Sequence, residues 1–319
     1  MVQSLYTLLY KIIDYAGMFP PANLELEEAF QNFKNYAIGE HSFLLNRFII
    51  PVRQLNNFAV LNQRNELQNI SLSYLLTKND NKREFFVTLK DELKLLQNFE
   101  KLFPSFSETT SYIELCCPQE VVVENKQSLR DFVKETISAI ANTRNTEYLV
   151  FYEFPIVKFD ETLFKYFVEY IANENLNGYP AQFKLRAGGT DKQDFPSSET
   201  IAKILTTLKE FNVGFKATAG LHHPFKYFDD GLKTKVHGFL NLFCAAALTY
   251  VYNFNFKTLF IILEEASKED FIFSENYFTY KEWRVDSELI KKSREEFAFS
   301  YGSCSFTEPV DDLKKLKFL

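Results

Sequence analysis

Lys184, Arg186 and Lys216 are charged residues set into short runs that are otherwise apolar. In Gln182-Phe183-Lys184-Leu185-Arg186-Ala187-Gly188-Gly189, the apolar set Phe183, Leu185 and Ala187 alternates with the two cations. Phe215-Lys216-Ala217-Thr218-Ala219-Gly220 repeats the arrangement, with Lys216 and Thr218 opposed to Phe215 and Ala217. Earlier in the chain, Tyr112-Ile113-Glu114-Leu115-Cys116 sets Glu114 between two aliphatic residues, and Phe151-Tyr152-Glu153-Phe154 carries Glu153 near its end. Successive side chains of a strand point to opposite faces, so the ionisable residues of each run share one face. An ion removed from water costs several kcal/mol unless it is paired. Five of them on strand faces point to chemistry rather than to support.

A lysine at its ordinary pKa near 10 is protonated and inert at neutral pH. Burial beside a second cation lowers that pKa, and the neutral amine attacks carbonyl groups. Lys184 and Lys216, with Arg186 nearby, are therefore candidate nucleophiles, and Glu114 and Glu153 are candidates to shuttle the proton that carbinolamine dehydration and C–C cleavage require. The rival use of the same cations is anion binding: Arg186 with the Gly188 and Gly189 amides holds a phosphate or carboxylate, and Thr218 and Asp14 join that substrate-binding set.

A second cluster follows in Lys216-Ala-Thr-Ala-Gly-Leu-His222-His223-Pro224. Three of the four histidines, His222, His223 and His237, lie within 16 positions. His222 and His223 join the catalytic set. His237 and Asn241 are four apart on a predicted helix and share a face there, which adds them to the substrate-binding residues. A divalent metal ion held by His222, His223 and His237 is the alternative, although neither H-x-H nor H-E-x-x-H occurs. The leading reading uses no cofactor.

These residues need elements to position them. Short β-branched or aromatic runs alternate with helical patterns, the signature of a parallel sheet under covering helices. Strands are predicted at Ile12–Ala16, Asn46–Val52, Ser71–Thr77, Ser111–Cys116, Tyr148–Phe154, Gln182–Ala187, Gly214–Ala219 and Phe271–Tyr277. Helices are predicted at 24–37, 53–64, 85–102, 127–142, 160–175, 198–211, 234–252 and 286–298, with an extra helix near 257–267 and a C-terminal extension. Eight of each, over 319 residues, predict one (β/α)₈ barrel of the TIM type spanning residues 1–319 as a single domain. In that barrel Lys184, Arg186 and Lys216 face the axis, while Phe183, Leu185 and Phe215 face the helices.

Composition narrows the function classes. The chain is 46% hydrophobic and 24% charged, with 35 Phe and 17 Tyr that read as large core side chains. A net charge of −6, with Lys and Arg scattered among acids, argues against a nucleic-acid partner. Four cysteines without a CxxC pair fit a reducing, cytoplasmic setting. The most apolar stretch, Val236 to Tyr252, carries His237, Asn241 and Thr249 and falls short of a membrane span. A homo-oligomer is compatible with the aromatic excess.

Two resemblances attach to these residues. The strings Asp14-Tyr-Ala-Gly-Met-Phe-Pro-Pro-Ala22, Lys184-Leu-Arg-Ala-Gly-Gly189, Lys216-Ala-Thr-Ala-Gly-Leu-His-His-Pro224, His237-Gly-Phe-Leu-Asn241 and Gly302-Ser-Cys-Ser-Phe-x-Glu-Pro309 resemble a family of uncharacterised bacterial TIM-barrel-like proteins, along nearly the whole chain. K-x-x-x-G on two successive strands is locally similar to deoxyribose-phosphate aldolase. That resemblance implies a Schiff-base lysine at Lys184 and a tuning lysine at Lys216. Arg186 and the paired histidines depart from it. The expectation is a lyase or isomerase acting on a small anionic carbonyl compound, aldolase-like in its sharpest form. Its alternatives are a metal-dependent hydrolase or lyase and a non-catalytic barrel that binds a small anion.

Overall fold

Hydrophobic runs of three to seven residues, most followed by an amphipathic segment, fold here into parallel strands covered on both faces. The computed structural model describes residues 1–61, 70–104, 111–143, 148–156 and 159–319. Its core is a closed barrel of parallel strands: β1 (Ile13–Tyr15), β2 (Leu45–Pro51), β3 (Leu72–Leu75), β4 (Tyr112–Cys116), β5 (Leu149–Glu153), β6 (Ala181–Arg186), β7 (Phe215–Thr218) and β8 (Ala298–Ser303), with β8 pairing β1 and β7. The fold is a (β/α)₈ barrel.

Helices cover the sheet at Leu26–Ala37, Leu55–Leu61, Lys82–Leu102, Lys126–Ala141, Glu161–Leu176, Ser198–Glu210, Phe239–Val251 and Thr307–Lys315. The last residues of the predicted helix 53–64, from 62 onward, lie outside the described residues. Local chemistry sets the helix starts. Asn81, Asn125, Asp160 and Ser197 each accept an amide hydrogen bond from the first turn they precede. Gly178, at φ +86°, lies just past the end of its helix at Leu176. The extra helix near 257–267 is present as Phe256–Glu264.

Phe271–Tyr277 is not the eighth barrel strand. Phe271–Phe273, Tyr277–Tyr280 and Trp283–Asp286 form a separate antiparallel sheet. The turns between them are too short for a parallel crossover. The predicted helix 286–298 exists as Ser287–Glu296 but precedes β8 instead of following it. What reads as a C-terminal extension supplies the last helix. β8, Ala-Phe-Ser-Tyr-Gly-Ser, hides from propensity because small residues, Ser300, Gly302 and Ser303, make up half of it; a Cβ on Gly302 would stand 3.2 Å from Thr218 Oγ1.

The predicted helix 234–252 also divides. Thr234–Val236 pairs with Tyr227–Asp229 in a two-stranded hairpin, and the helix starts only after Gly238. His237 therefore stands outside the helix that carries Asn241, and the shared face predicted for them does not exist. Among the described residues no helix is long and apolar enough to cross a membrane.

Candidate active site at the barrel mouth

The two-residue alternation of β6 and β7 resolves as expected. Phe183 packs on Phe164 and Phe215 on Phe243, both in covering helices, and Leu185 is fully buried. Lys184 and Lys216, partners in the β6–β7 register, point the other way. There every barrel strand supplies one polar side chain to a single layer: Asp14, Asn46, Ser73, Glu114, Glu153, Lys184, Lys216 and Ser300, in order from β1 to β8.

Charges alternate across this layer. Lys216 Nζ donates to Asp14 Oδ2 at 2.7 Å and to Glu114 Oε1. Lys184 Nζ lies 3.0 Å from Glu114 Oε2 and 3.1 Å from Glu153 Oε2. Arg186 Nε closes the chain on Glu153 Oε1 at 2.6 Å. Neutral donors complete the carboxylates: Asn46 Nδ2 and Ser300 Oγ reach Asp14 at 2.8 and 2.6 Å, and Ser73 Oγ reaches Glu114 at 2.6 Å. Below lie the rings of Tyr112 and Phe151, each centred 5.7 Å from Lys216 Nζ.

This interleaving overturns the expectation of lysines crowded by like charge. Burial alone lowers a lysine pKa, but Glu114 and Glu153 outweigh it and hold Lys184 above its ordinary value. Asp14 and Glu114 do the same for Lys216. Burial pushes Glu114 up, yet Lys216 and Lys184 prevail and bring it down to about 2. Glu153 is likewise lowered against its burial by Lys184 and Arg186. At rest Glu114, Glu153, Lys184, Lys216 and Arg186 are ionised, and a neutral amine requires proton transfer to a neighbouring carboxylate.

Access separates the two lysines. A cavity of about 480 Å³ opens above the layer, with Glu114, Lys184, Arg186 and Thr218 in its floor and His222 and His223 in its wall. A larger hollow of about 1050 Å³ adjoins it beside Cys116, Glu153 and Phe154, and Lys184 and Arg186 line both. Lys216, with no exposed surface, lines neither. Arg186, two residues beyond Lys184 on β6, is more open than either lysine, its side chain 42% exposed.

Other predicted residues fall differently. Asp14 is sealed beneath the floor and engaged by Lys216, so it does not face a substrate. Gly188 serves packing: a Cβ there would meet Phe195 at 2.5 Å and the Gly220 Cα at 2.9 Å. Gly189 lines the smaller cavity, but the Asp194 carboxylate lies against it, and a second anion there would meet a like charge. The proposed anion cradle is thus reduced to Arg186. Asn241 accepts from Lys226 N and donates to Ile262 O and Glu265 O, tying loops together away from the cavity.

The histidines divide two and one. His222 Nδ1 lies 2.8 Å from Glu308 Oε2, and His223 Nδ1 bonds Asp312 Oδ2. His237 is buried and turns its Nε2 to the Pro196 carbonyl at 2.6 Å; burial and the nearby Lys226 push it down to about 4. The trio proposed for a metal is therefore not gathered, and among the described residues no three His, Cys, Asp or Glu form a group able to hold one. Sequence reasoning missed Asn46, Ser73 and Ser300 as partners of the carboxylates, and Glu308 and Asp312 as partners of the histidines. Asn46 and Ser73 carried the same signal as Glu114, a polar residue on a buried strand. Ser300 was hidden with β8.

No protein-family model matches the sequence, and no curated protein matches it. Among solved structures, a protein described as an aldolase matches 97% of this chain and 97% of its own, with a TM-score of 0.51 and 12% identity. At that identity the likeness is one of fold: the two chains share a barrel architecture.

Proposed function

We propose that the protein is an aldolase-type lyase that acts on a small anionic carbonyl compound through an imine on Lys184. The observation that carries the reading is the pairing of access with proton acceptors. Lys184 faces both hollows and stands between two carboxylates at 3.0 and 3.1 Å. Lys216 lies sealed beneath, where it holds Glu114 ionised and bonds Asp14.

The sequence of steps follows from the charges. The half-open Arg186 guanidinium takes the anionic group of the substrate and, in sharing itself, weakens its hold on Glu153. Glu153 then gains basicity and accepts a proton from Lys184. The freed amine adds to the carbonyl, water leaves the carbinolamine with a proton returned by a carboxylic acid, and an iminium remains on Nζ. That iminium withdraws the electron pair of the adjacent C–C bond. Conserving charge at each step is what an alternating layer of buried ions is suited to do.

The test is solvent exchange. Iminium formation acidifies the carbon next to the carbonyl, so a cognate ketone or aldehyde incubated in D₂O with the protein loses its proton signal there. A panel of small carbonyl acids and phosphates is read by NMR. Exchange with the native protein that vanishes in Lys184→Met supports the reading; exchange that persists in Lys184→Met overturns it.

A further inference from the structure

Opposite the charged floor, the cavity wall carries a second acid–base pair. His222 follows β7, and Glu308 lies in the first turn of the helix Thr307–Lys315 that follows β8. A carboxylate only accepts, so the 2.8 Å contact to Glu308 Oε2 puts a proton on Nδ1 and leaves Nε2 to accept from the weak Cys304 thiol donor. Nε2 meets Cys304 Sγ at 3.9 Å, and that thiol lines the same cavity as Lys184 and Glu114. Glu308 is fixed in turn: its amide donates to Ser305 Oγ at 3.1 Å, and the helix N-terminus favours its charge. His223, pinned by Asp312, has its Nε2 3.8 Å from Glu308 Oε1 and so faces carboxylates on both sides. His222 is the ring whose Nε2 meets only a weak thiol donor, which a substrate hydroxyl at the cavity wall can displace.

We propose that His222 is the acid–base residue of the carbon–carbon step, with Glu308 as its positioning residue. The inference rests on the imine at Lys184 and adds to it a β-hydroxy carbonyl substrate that spans floor to wall. In the cleaving direction His222 Nε2 takes the proton of the β-hydroxyl. The O–H pair becomes the second bond of the departing aldehyde's carbonyl. The C–C pair becomes the enamine double bond, and the C=N pair returns to the Lys184 nitrogen. The imidazolium faces the Glu308 carboxylate until its proton passes to solvent. Condensation is the reverse, with His222 donating. Glu114 and Glu153 keep the proton traffic of the imine, and the two tasks divide between floor and wall.

Three readouts separate the steps, using acetaldehyde, pyruvate, glyoxylate and dihydroxyacetone phosphate as probes. Borohydride trapping reports the imine, deuterium uptake reports the enamine, and product formation between two probes reports the carbon–carbon bond. In His222→Gln, trapping and uptake stay within about 2-fold of native while condensation falls by about 100-fold or more, the usual worth of a positioned acid–base group. Glu308→Gln, whose side-chain amide can donate to Nδ1 as well as accept from it, gives a smaller fall in condensation alone, and ¹⁵N NMR shows His222 losing its fixed Nδ1–H tautomer. Condensation at the native rate in His222→Gln overturns this inference and leaves the lysine reading standing. A parallel fall of all three readouts makes His222 a structural residue and also overturns it. Failure of the native protein to trap any probe removes the lysine reading and this one with it.

Discussion

Replacing Lys216 by Met keeps the stem volume and removes one charge, and the consequence follows from the partners left behind. Lys216 is fully buried and bonded to two carboxylates, Asp14 at 2.7 Å and Glu114. After the substitution Glu114 still has Lys184 at 3.0 Å and Ser73 at 2.6 Å. Asp14 keeps only the neutral donors Asn46 and Ser300 and loses its counter-ion. A pair at this distance attracts by about 6 kcal/mol at an effective dielectric of about 20, and losing the lysine's own desolvation cost offsets part of that. The net expected loss is about 3–5 kcal/mol, the range for a broken buried ion pair. Urea unfolding followed by circular dichroism reads it as a lower midpoint at unchanged slope. Asp14→Asn added to Lys216→Met removes the orphaned charge while the amide oxygen still accepts, so the double variant is more stable than Lys216→Met alone. A Lys216→Met protein as stable as the native one, or more so, would falsify the alternating-charge account of the layer.

Further outcomes follow. His237 is pushed down to about 4 from 6.5, so the folded state binds its proton later than the unfolded chain; its share of stability is complete above pH 6.5 and is lost as pH falls toward 4. A shift of that size is worth about 3 kcal/mol, and His237→Gln, which still donates to Pro196 O, flattens the urea midpoint between pH 6.5 and 4.5; an unchanged slope there contradicts the assignment. Asn241→Ala strands Lys226 N and two carbonyls, costing about 2–3 kcal/mol on melting without changing carbonyl exchange per folded molecule. Arg186→Met raises the anionic-carbonyl concentration needed for half-maximal exchange by about 10- to 100-fold, the worth of a charged hydrogen bond, and has little effect on an uncharged aldehyde. Equal effects on both probes would mean that Arg186 acts through Glu153 and not on the anion.

The barrel was legible because buried parallel strands are apolar runs with few alternatives, and Lys184, Arg186, Lys216, Glu114 and Glu153 broke those runs visibly. Their inward orientation followed from the two-residue period. Their mutual order did not: sequence gives the sign of each charge but not which strand sits across the axis, so the lysines looked crowded until Glu114 stood between them, with Asp14 and Glu153 on their far sides. β8 escaped because Ser300 and Gly302 are small to fit beside Asp14 and Thr218, and small residues carry little strand propensity. The aromatic run at Phe271–Tyr277 took its place in the reading because it carries that propensity in full. His237 and Asn241 looked like a functional pair because polar residues in an apolar stretch invite that reading. Their bonds to backbone carbonyls at 2.6–3.0 Å give the structural reason for their presence.

The central claim, that Lys184 is the residue that meets the carbonyl, is tested most directly by borohydride reduction of the protein with small carbonyl probes followed by peptide mass mapping. The account predicts a reduced adduct on the peptide carrying Lys184, none on the one carrying Lys216, and none anywhere in Lys184→Met. An adduct on Lys216, or no adduct on Lys184 across a panel that includes the native substrate, would contradict it.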